Sequence, residues 1–363
     1  MLKDAIDLSA VRRVLVIKLR HHGDVVLSSP VLSVLKNHLP HAEIDALVYH
    51  DTREMLTGHP QLSELFTIDR QWKKLGPLGQ LRAEWQLLRQ LRARRYDLVV
   101  HLTNHNRGAW LVRLLKPRWA VAAIGHFGKF LSRGFSHLYP EIAGNRRHTV
   151  EIHLDALRRL GIQPGEHERR LQLAIPESAR EAVRTKLAAK GVSGRYVLVH
   201  PTSRWLFKSW PVERMAAVID ALTASGDCVV LSAAPDPAEL AMVADIQSRL
   251  VRPVVSLAGE LTLKQLGALI DGAELLFGVD SVPMHMAAAL QTPCVALFGP
   301  SGDIEWGPWQ VAHRILSSDM PCRPCGKDGC GGGWRSECLV RIDEQRVLQA
   351  IAELRREVGQ TAA

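Results

Sequence analysis

Short β-branched runs alternate with amphipathic helical stretches along this chain, and near its middle the whole alternation starts again. Parallel strands need crossover connections, usually helices, so the pattern predicts parallel α/β sheets. In the first half the apolar runs predict strands at Val14–Leu19, Ile44–Tyr49, Leu65–Ile68, Leu98–Leu102 and Ala120–Ile124, with helices such as Val25–His38 and Leu78–Arg94 between them. In the second half they predict strands at Tyr196–Val199, Cys228–Leu231, Val254–Leu257, Leu275–Phe277 and Cys294–Phe298. Helices follow at Val212–Ala224, Ala238–Leu250, Leu263–Asp271 and Val282–Leu290, with a last one at Asp343–Val358. The break between halves falls in Ile162–Ile175, where Gln163-Pro164-Gly165 ends a helix and polar residues follow. Two α/β units on one linker are expected to frame a cleft, with ligands at the carboxyl ends of the strands.

A chain of 363 residues exceeds one ordinary core, and its 47% hydrophobic and 23% charged residues are those of a globular protein. No apolar stretch approaches the roughly eighteen residues that span a bilayer. The opening MLKDAIDLSA carries acids and lacks the apolar core of a signal peptide, so a cytoplasmic location is expected. The net charge of +9 points to an anionic partner: nucleic acid, a phosphorylated glycolipid or a membrane surface. Arg92, Arg94 and Arg95 read as the solvated face of a helix. Arg146, Arg147 and His148 sit in a Gly/Asn loop, where a ligand role and a plain surface role both stay open.

Three loops carry chemistry. Lys18-Leu19-Arg20-His21-His22-Gly23-Asp24 joins the first strand to the first long helix. Gly23 permits a sharp turn, and Asp24 either caps the helix or offers a carboxylate that takes a proton from an acceptor hydroxyl. His200-Pro201-Thr202-Ser203-Arg204-Trp205-Leu206-Phe207-Lys208-Ser209-Trp210-Pro211 combines hydroxyls, an ammonium and a helix start, the parts of a diphosphate cradle. Gly278-Val279-Asp280-Ser281-Val282-Pro283-Met284-His285 ends a strand and opens a helix, setting Ser281 and nearby amides where phosphate binds. His285 lies in the first turns of that helix and reads either as a packing residue or as a cleft residue.

Together these loops resemble glycosyltransferase family 9, the bacterial ADP-heptose:lipopolysaccharide heptosyltransferases, in the family's order and approximate spacing over nearly the whole chain. Ala258-Gly259-Glu260-Leu261-Thr262-Leu263 is similar to the stretch that packs on adenine, and Asp236-Pro237-Ala238-Glu239 to the place where a carboxylate meets ribose. Met320-Pro321-Cys322-Arg323-Pro324-Cys325-Gly326 and its continuation resemble the heptosyltransferase III branch, which adds the third, branching heptose. The chain departs from many members in having Ser281-Val282-Pro283 where Thr-Gly-Leu is common, and His21-His22 where small polar residues are common.

The resemblance implies the GT-B architecture, two Rossmann-like α/β/α domains facing a central cleft. Residues 1–165 would bind acceptor and 166–342 nucleotide-sugar, while 343–363 form a helix packing back on the N-terminal domain. It implies inverting, metal-independent transfer from ADP-L-glycero-β-D-manno-heptose to the lipopolysaccharide core, with Asp24 as general base. The donor would be held by Thr202, Ser203, Lys208, Glu239, Leu261, Asp280, Ser281, Val282 and His285. Charge and resemblance nominate Arg20, His21, Lys129, Arg133, Arg146 and Arg147 for the acceptor, with the enzyme peripheral at the cytoplasmic face of the inner membrane. Consistently, the chain has no Asp-x-Asp element for a metal-clamped diphosphate, and neither an NTPase nor a dinucleotide-binding glycine loop.

Cys322, Cys325, Cys330 and Cys338 have the spacing C-x₂-C-x₄-C-x₇-C, which leaves open a structural zinc site or a loop of reduced thiols. Two other functions use similar parts: a nucleotide-sugar 2-epimerase, releasing a free altered sugar, and a non-catalytic protein binding anionic glycans. Nucleic acid is not expected, because the basic residues are not interleaved with exposed aromatics.

Overall fold

The structure, a computed structural model, describes residues 4–141 and 146–361. Contacts divide the chain into two units, 1–174 and 175–363. Among the described residues each unit holds one six-stranded sheet, parallel throughout.

The first sheet contains β1 (Arg13–Lys18), β2 (Glu43–Tyr49), β3 (Glu64–Ile68), β4 (Leu98–His101), β5 (Trp119–Ala123) and β6 (His137–Tyr139), in the order β3-β2-β1-β4-β5-β6. Its helices are α1 (His22–Val26), α2 (Ser29–His38), α3 (Gly76–Arg94), α4 (Asn106–Leu115), α5 (Lys129–Ser132) and α6 (Thr149–Arg159). The central strands are buried on both faces, which is why β1 reads as a near-continuous apolar run rather than as an alternation. The helix expected over Val25–His38 is two helices, with Pro30 in the first turn of the second, where a missing N–H costs nothing.

The second sheet contains β7 (Val197–His200), β8 (Val229–Leu231), β9 (Val255–Ser256), β10 (Leu275–Val279), β11 (Cys294–Leu297) and β12 (His313–Leu316), in the order β12-β11-β10-β7-β8-β9. Its helices are α7 (Glu177–Ala189), α8 (Val212–Ala224), α9 (Pro237–Arg249), α10 (Leu263–Asp271), α11 (Val282–Leu290), α12 (Asp303–Trp306), α13 (Glu337–Val340) and α14 (Glu344–Thr361). In both sheets the chain runs outward from the middle, returns to the centre and runs out the other way. This is doubly wound order, with topological switch points between β1 and β4 and between β7 and β10.

Three expectations change. The edge strands β6 and β12 are absent from the sequence prediction, because His137-Leu138-Tyr139 and His313-Arg314-Ile315-Leu316 pair on one side only and carry no long β-branched run. The last helix, expected to pack back on the N-terminal domain, has Val347, Ala350, Ile351 and Leu354 buried in the core of the second unit. The Arg92–Arg95 cluster is more than a solvated face: Arg94 grips the fully buried Asp45 of β2 through two bonds of 2.7 and 3.0 Å, and Tyr96 donates to the same carboxylate at 2.8 Å.

Candidate active site

In the first unit the chemistry gathers at the β1/β4 switch point. Lys18 closes β1 and is buried, so its ammonium needs partners. It donates to the carbonyl of Leu102, just past β4, at 3.1 Å and to Nε2 of His153 on α6 at 2.7 Å. Its third neighbour is the carboxylate of Asp24, 3.7 Å away in the first turn of α1. Because Nε2 of His153 faces an ammonium, the ring proton resides on Nδ1, which donates to the carbonyl of Leu27 at 3.0 Å. Thr103 accepts from the amide of Leu19 at 2.8 Å, tying the loops after β1 and β4 together.

Burial lowers the Lys18 pKa to about 8, and the charge of Asp24 opposes the fall. Burial, with Lys18 adding to it, holds His153 well below the ordinary histidine range. At neutral pH the network therefore sets a cationic lysine against a neutral histidine, with Asp24 beside them. The Asp24 side chain keeps 16% of its surface exposed, so one flank rests on the lysine while the other reaches solvent. A carboxylate fixed in this way can accept a proton from a hydroxyl group brought to the strand edge.

Basic residues crowd the same edge. Arg20 is exposed, and its carbonyl accepts from Arg70 at 3.3 Å. Arg70 also pairs with Asp51 at 2.8 Å and lies 4.0 Å over the Tyr49 ring. Burial first, then the charges of Arg20 and Arg70, lower the pKa of His105. Arg70, a lone arginine after β3, escaped the sequence reading, and Lys18 stood there only as the start of a loop, with no role of its own.

The remaining acceptor candidates are more dispersed. His21 is half-buried as the N-cap of α1, and Lys129 and Arg133 are exposed on and just beyond α5. Arg146 is exposed, whereas Arg147 is held by Asp155 through bonds of 2.6 and 3.1 Å, which raises its pKa and gives it a structural partner.

In the second unit the β7/β10 switch point holds a second lysine–aspartate pair. Lys208 ends a short 3₁₀ turn, Leu206–Lys208, and donates to Asp280 at 2.6 Å, with its Nζ 5.2 Å from the Trp205 ring centre. Asp280 follows β10, its amide anchored on the carbonyl of Leu297 at 3.0 Å. Only glycine fits at 278, because a Cβ there would stand 2.6 Å from the carbonyl oxygen of His200. That close approach lets the loops after β7 and β10 meet.

Ser281 is the N-cap of α11, yet its hydroxyl donates back to Val279 at 3.3 Å and does not cap the helix. The first-turn amides after it, beginning with Val282, carry the positive end of the helix. His285 is buried within α11.

Thr202 donates to Glu239 at 2.6 Å, and the amide of Ala234 donates to the same oxygen at 3.3 Å, so this buried carboxylate pins the loop after β7 to the loop after β8. Asp236 accepts from the amides of Ala238 and Glu239 and caps α9. Ser203 is buried, and its Oγ accepts from the amide of Trp205 at 3.4 Å. Leu261 is half-buried just ahead of the Thr262/Gln265 capping box of α10. Burial lowers His200 to about 4, so it is a neutral neighbour, bonded to Ser232 at 2.9 Å.

The cysteine-rich segment serves this site from behind. Ser336 donates to the carbonyl of Phe207 at 2.6 Å, Trp334 packs on the Phe207 ring at 5.8 Å, and the Trp210 indole donates to Leu339 at 3.1 Å. Cys322, Cys325 and Cys330 are exposed free thiols and Cys338 a buried one. Among the described residues no group of three or more His, Cys, Asp or Glu side chains is arranged to hold a metal ion, so the four cysteines are not drawn together as the zinc reading requires.

The chain as a whole is similar to proteins of one family. The model of glycosyltransferase family 9 (heptosyltransferase) matches residues 84–333. Lipopolysaccharide heptosyltransferase 3 of Escherichia coli is 40% identical over 294 residues, 80% of this chain and 84% of that protein. Among solved structures, the family 9 glycosyl transferase of Veillonella parvula superposes with a TM-score of 0.83 at 23% identity, covering 98% of this chain and 100% of that one. The E. coli ADP-heptose lps heptosyltransferase II superposes with a TM-score of 0.76 at 22% identity, covering 96% and 99%. These likenesses give the α/β fold its class, GT-B.

Proposed function

The chain belongs to glycosyltransferase family 9 and is a glycosyltransferase, and we propose that it moves L-glycero-D-manno-heptose from ADP-heptose to the inner core of lipopolysaccharide, as the third, branching heptose. The observation that carries the chemistry is the Lys208–Asp280 pair at the β7/β10 switch point, beside the amino end of α11. A leaving diphosphate needs positive charge and amide donors that do not have to reorganise, and this corner supplies both. Likeness to the E. coli lipopolysaccharide heptosyltransferase 3 supports the acceptor, and likeness to the E. coli ADP-heptose lps heptosyltransferase II supports the donor.

In the mechanism we favour, the first unit supplies the base and the second holds the donor. Asp24 takes the proton from the acceptor hydroxyl as that oxygen attacks the anomeric carbon, and the bond to the ADP oxygen breaks on the opposite face, inverting the centre. Lys18 keeps the Asp24 carboxylate aimed. Lys208 moves from Asp280 toward the diphosphate when donor binds, while Glu239 and Leu261 receive the nucleoside. Arg20, with Arg70 behind it, meets anionic groups of the core.

No helix among the described residues is long and apolar enough to cross a membrane. An enzyme acting on a lipid-anchored core is proposed to work from the cytoplasmic face as a peripheral protein. Replacing Asp24 by Asn tests the base: turnover should fall by about 10²–10⁴ while calorimetric ADP binding persists, and wild-type turnover would reject the role.

A further inference from the structure

Helices α3, α4 and α5 pack on one face of the first sheet, their inner residues sharing a core with β1, β4 and β5. The outer side of this layer is unlike an ordinary solvated surface. Along α3, Leu78, Leu81 and Trp85 recur at three- and four-residue spacing with exposures of 84%, 65% and 60%, so they form one apolar stripe. Leu75, just before the helix, continues it.

The end of α3 abuts α4, where Arg92 donates to the carbonyl of Leu114 at 3.2 Å. Exposed Trp110 and Leu114 of α4 and Phe130 of α5 extend the apolar surface, with Trp110 and Phe130 rings 5.6 Å apart and Arg113 lying 4.2 Å over Phe130.

The charge around the stripe has one sign. Lys73, Lys74, Arg82 and Arg89 flank it, and Glu84, the only acid between residues 70 and 95, is engaged by Arg107. Tryptophans and leucines bordered by lysine and arginine fit the headgroup boundary of an anionic bilayer, where the rings enter the interface and the cations meet lipid phosphates. A second copy of this chain suits the surface less well, since face-to-face pairing would oppose like charges.

We infer that the outer face of α3, continued by α4 and α5, docks the enzyme on an anionic lipid surface. The inference deepens the proposed function by giving the lipid-anchored acceptor a surface at which to be met, and it rests on that reading for its purpose. Its physical basis is the stripe itself.

The test is co-sedimentation of the full chain with vesicles of phosphatidylethanolamine and phosphatidylglycerol, against vesicles of phosphatidylcholine alone. The wild type should bind the anionic vesicles, less as salt rises, and the Leu78→Glu/Trp85→Glu variant should bind at least about tenfold more weakly, since each side chain loses its apolar transfer. Arg82→Glu/Arg89→Glu, which leaves the stripe intact, should weaken binding to anionic vesicles and reduce its salt dependence. Transfer to a deacylated, water-soluble core should be unchanged in both variants, and unchanged thermal unfolding shows that they fold. Wild-type protein that fails to bind anionic vesicles overturns the inference even if transfer to the soluble core proceeds. A wild-type dimer in sedimentation that Leu78→Glu/Trp85→Glu splits also overturns it, by assigning the face to a second copy. Absence of transfer to any core, with vesicle binding intact, rejects the proposed function and leaves the docking surface standing.

Discussion

The ammonium of Lys18 and the carboxylate of Asp24 lie 3.7 Å apart at the β1/β4 switch point, and Lys208 and Asp280 are bonded at 2.6 Å at the β7/β10 switch point. A lysine–aspartate pair thus lies at the switch point of each unit, within one loop in the first and across two loops in the second. Lys18 is buried against a histidine and a carbonyl, whereas Lys208 lies beside the amino end of a helix. The first pair fits an orienting role and the second a ligand-exchange role.

The Asp24→Asn substitution keeps the shape of the side chain and removes the proposed proton acceptor. Loss of a general base should lower kcat by about 10²–10⁴. Titration calorimetry with ADP should give an affinity within about twofold of wild type, which is small beside the tenfold per 1.4 kcal/mol that a lost contact brings.

Lys18→Met should slow turnover without touching the donor site. In the wild type, Lys18 loses its proton as pH rises through about 8, and Asp24 then loses the cation beside it. The kcat/KM profile should fall on the alkaline side with a midpoint near that value, and the variant should lack this limb. Its neighbours Arg20 and Glu141 act on the same lysine in opposite directions, Arg20 lowering and Glu141 raising its pKa. For stability the sign is reversed: the folded-state pKa lies below the ordinary lysine value, so the wild type gains stability as pH rises between the two. Chemical unfolding at pH 7 and 9.5 checks this.

Lys208→Met leaves Asp280, only 7% exposed, without its cation. Removing one partner of a buried pair costs about 3 kcal/mol, so the midpoint of urea unfolding should drop. With donor saturating, kcat should fall by about 10²–10³, the range for losing one preorganised group at a developing negative charge.

Arg94→Met isolates Asp45, which is fully buried and otherwise bonded to Tyr96. Destabilisation of about 3 kcal/mol is expected from the uncompensated charge. Because Arg94 holds β2 to α3 rather than any ligand loop, KM values measured well below the melting temperature should stay as in wild type.

The candidate donor loops stand out in the sequence because their features are local: Lys208 and Asp280 each sit at a strand end beside turn residues and a helix start. Their direct bond was not legible, since doubly wound order brings together residues 72 positions apart. Lys18 was hidden for a related reason. It ends an apolar strand, and its partner His153 arrives from 135 residues away on α6. Asp45 lies inside the predicted strand Ile44–Tyr49, and nothing local in the sequence marks the bonds that Arg94 and Tyr96 make to it. Edge strands β6 and β12 were missed because one-sided pairing asks little of their composition.

The most direct test of the central claim is incubation of the enzyme with ADP-heptose and lipopolysaccharide cores truncated at successive sugars, with products read by mass. One core, already carrying inner-core heptose, should gain a single heptosyl residue as ADP appears in equal amount. A free altered sugar formed without any core, or no gain on any core while the donor stays intact, would contradict the account.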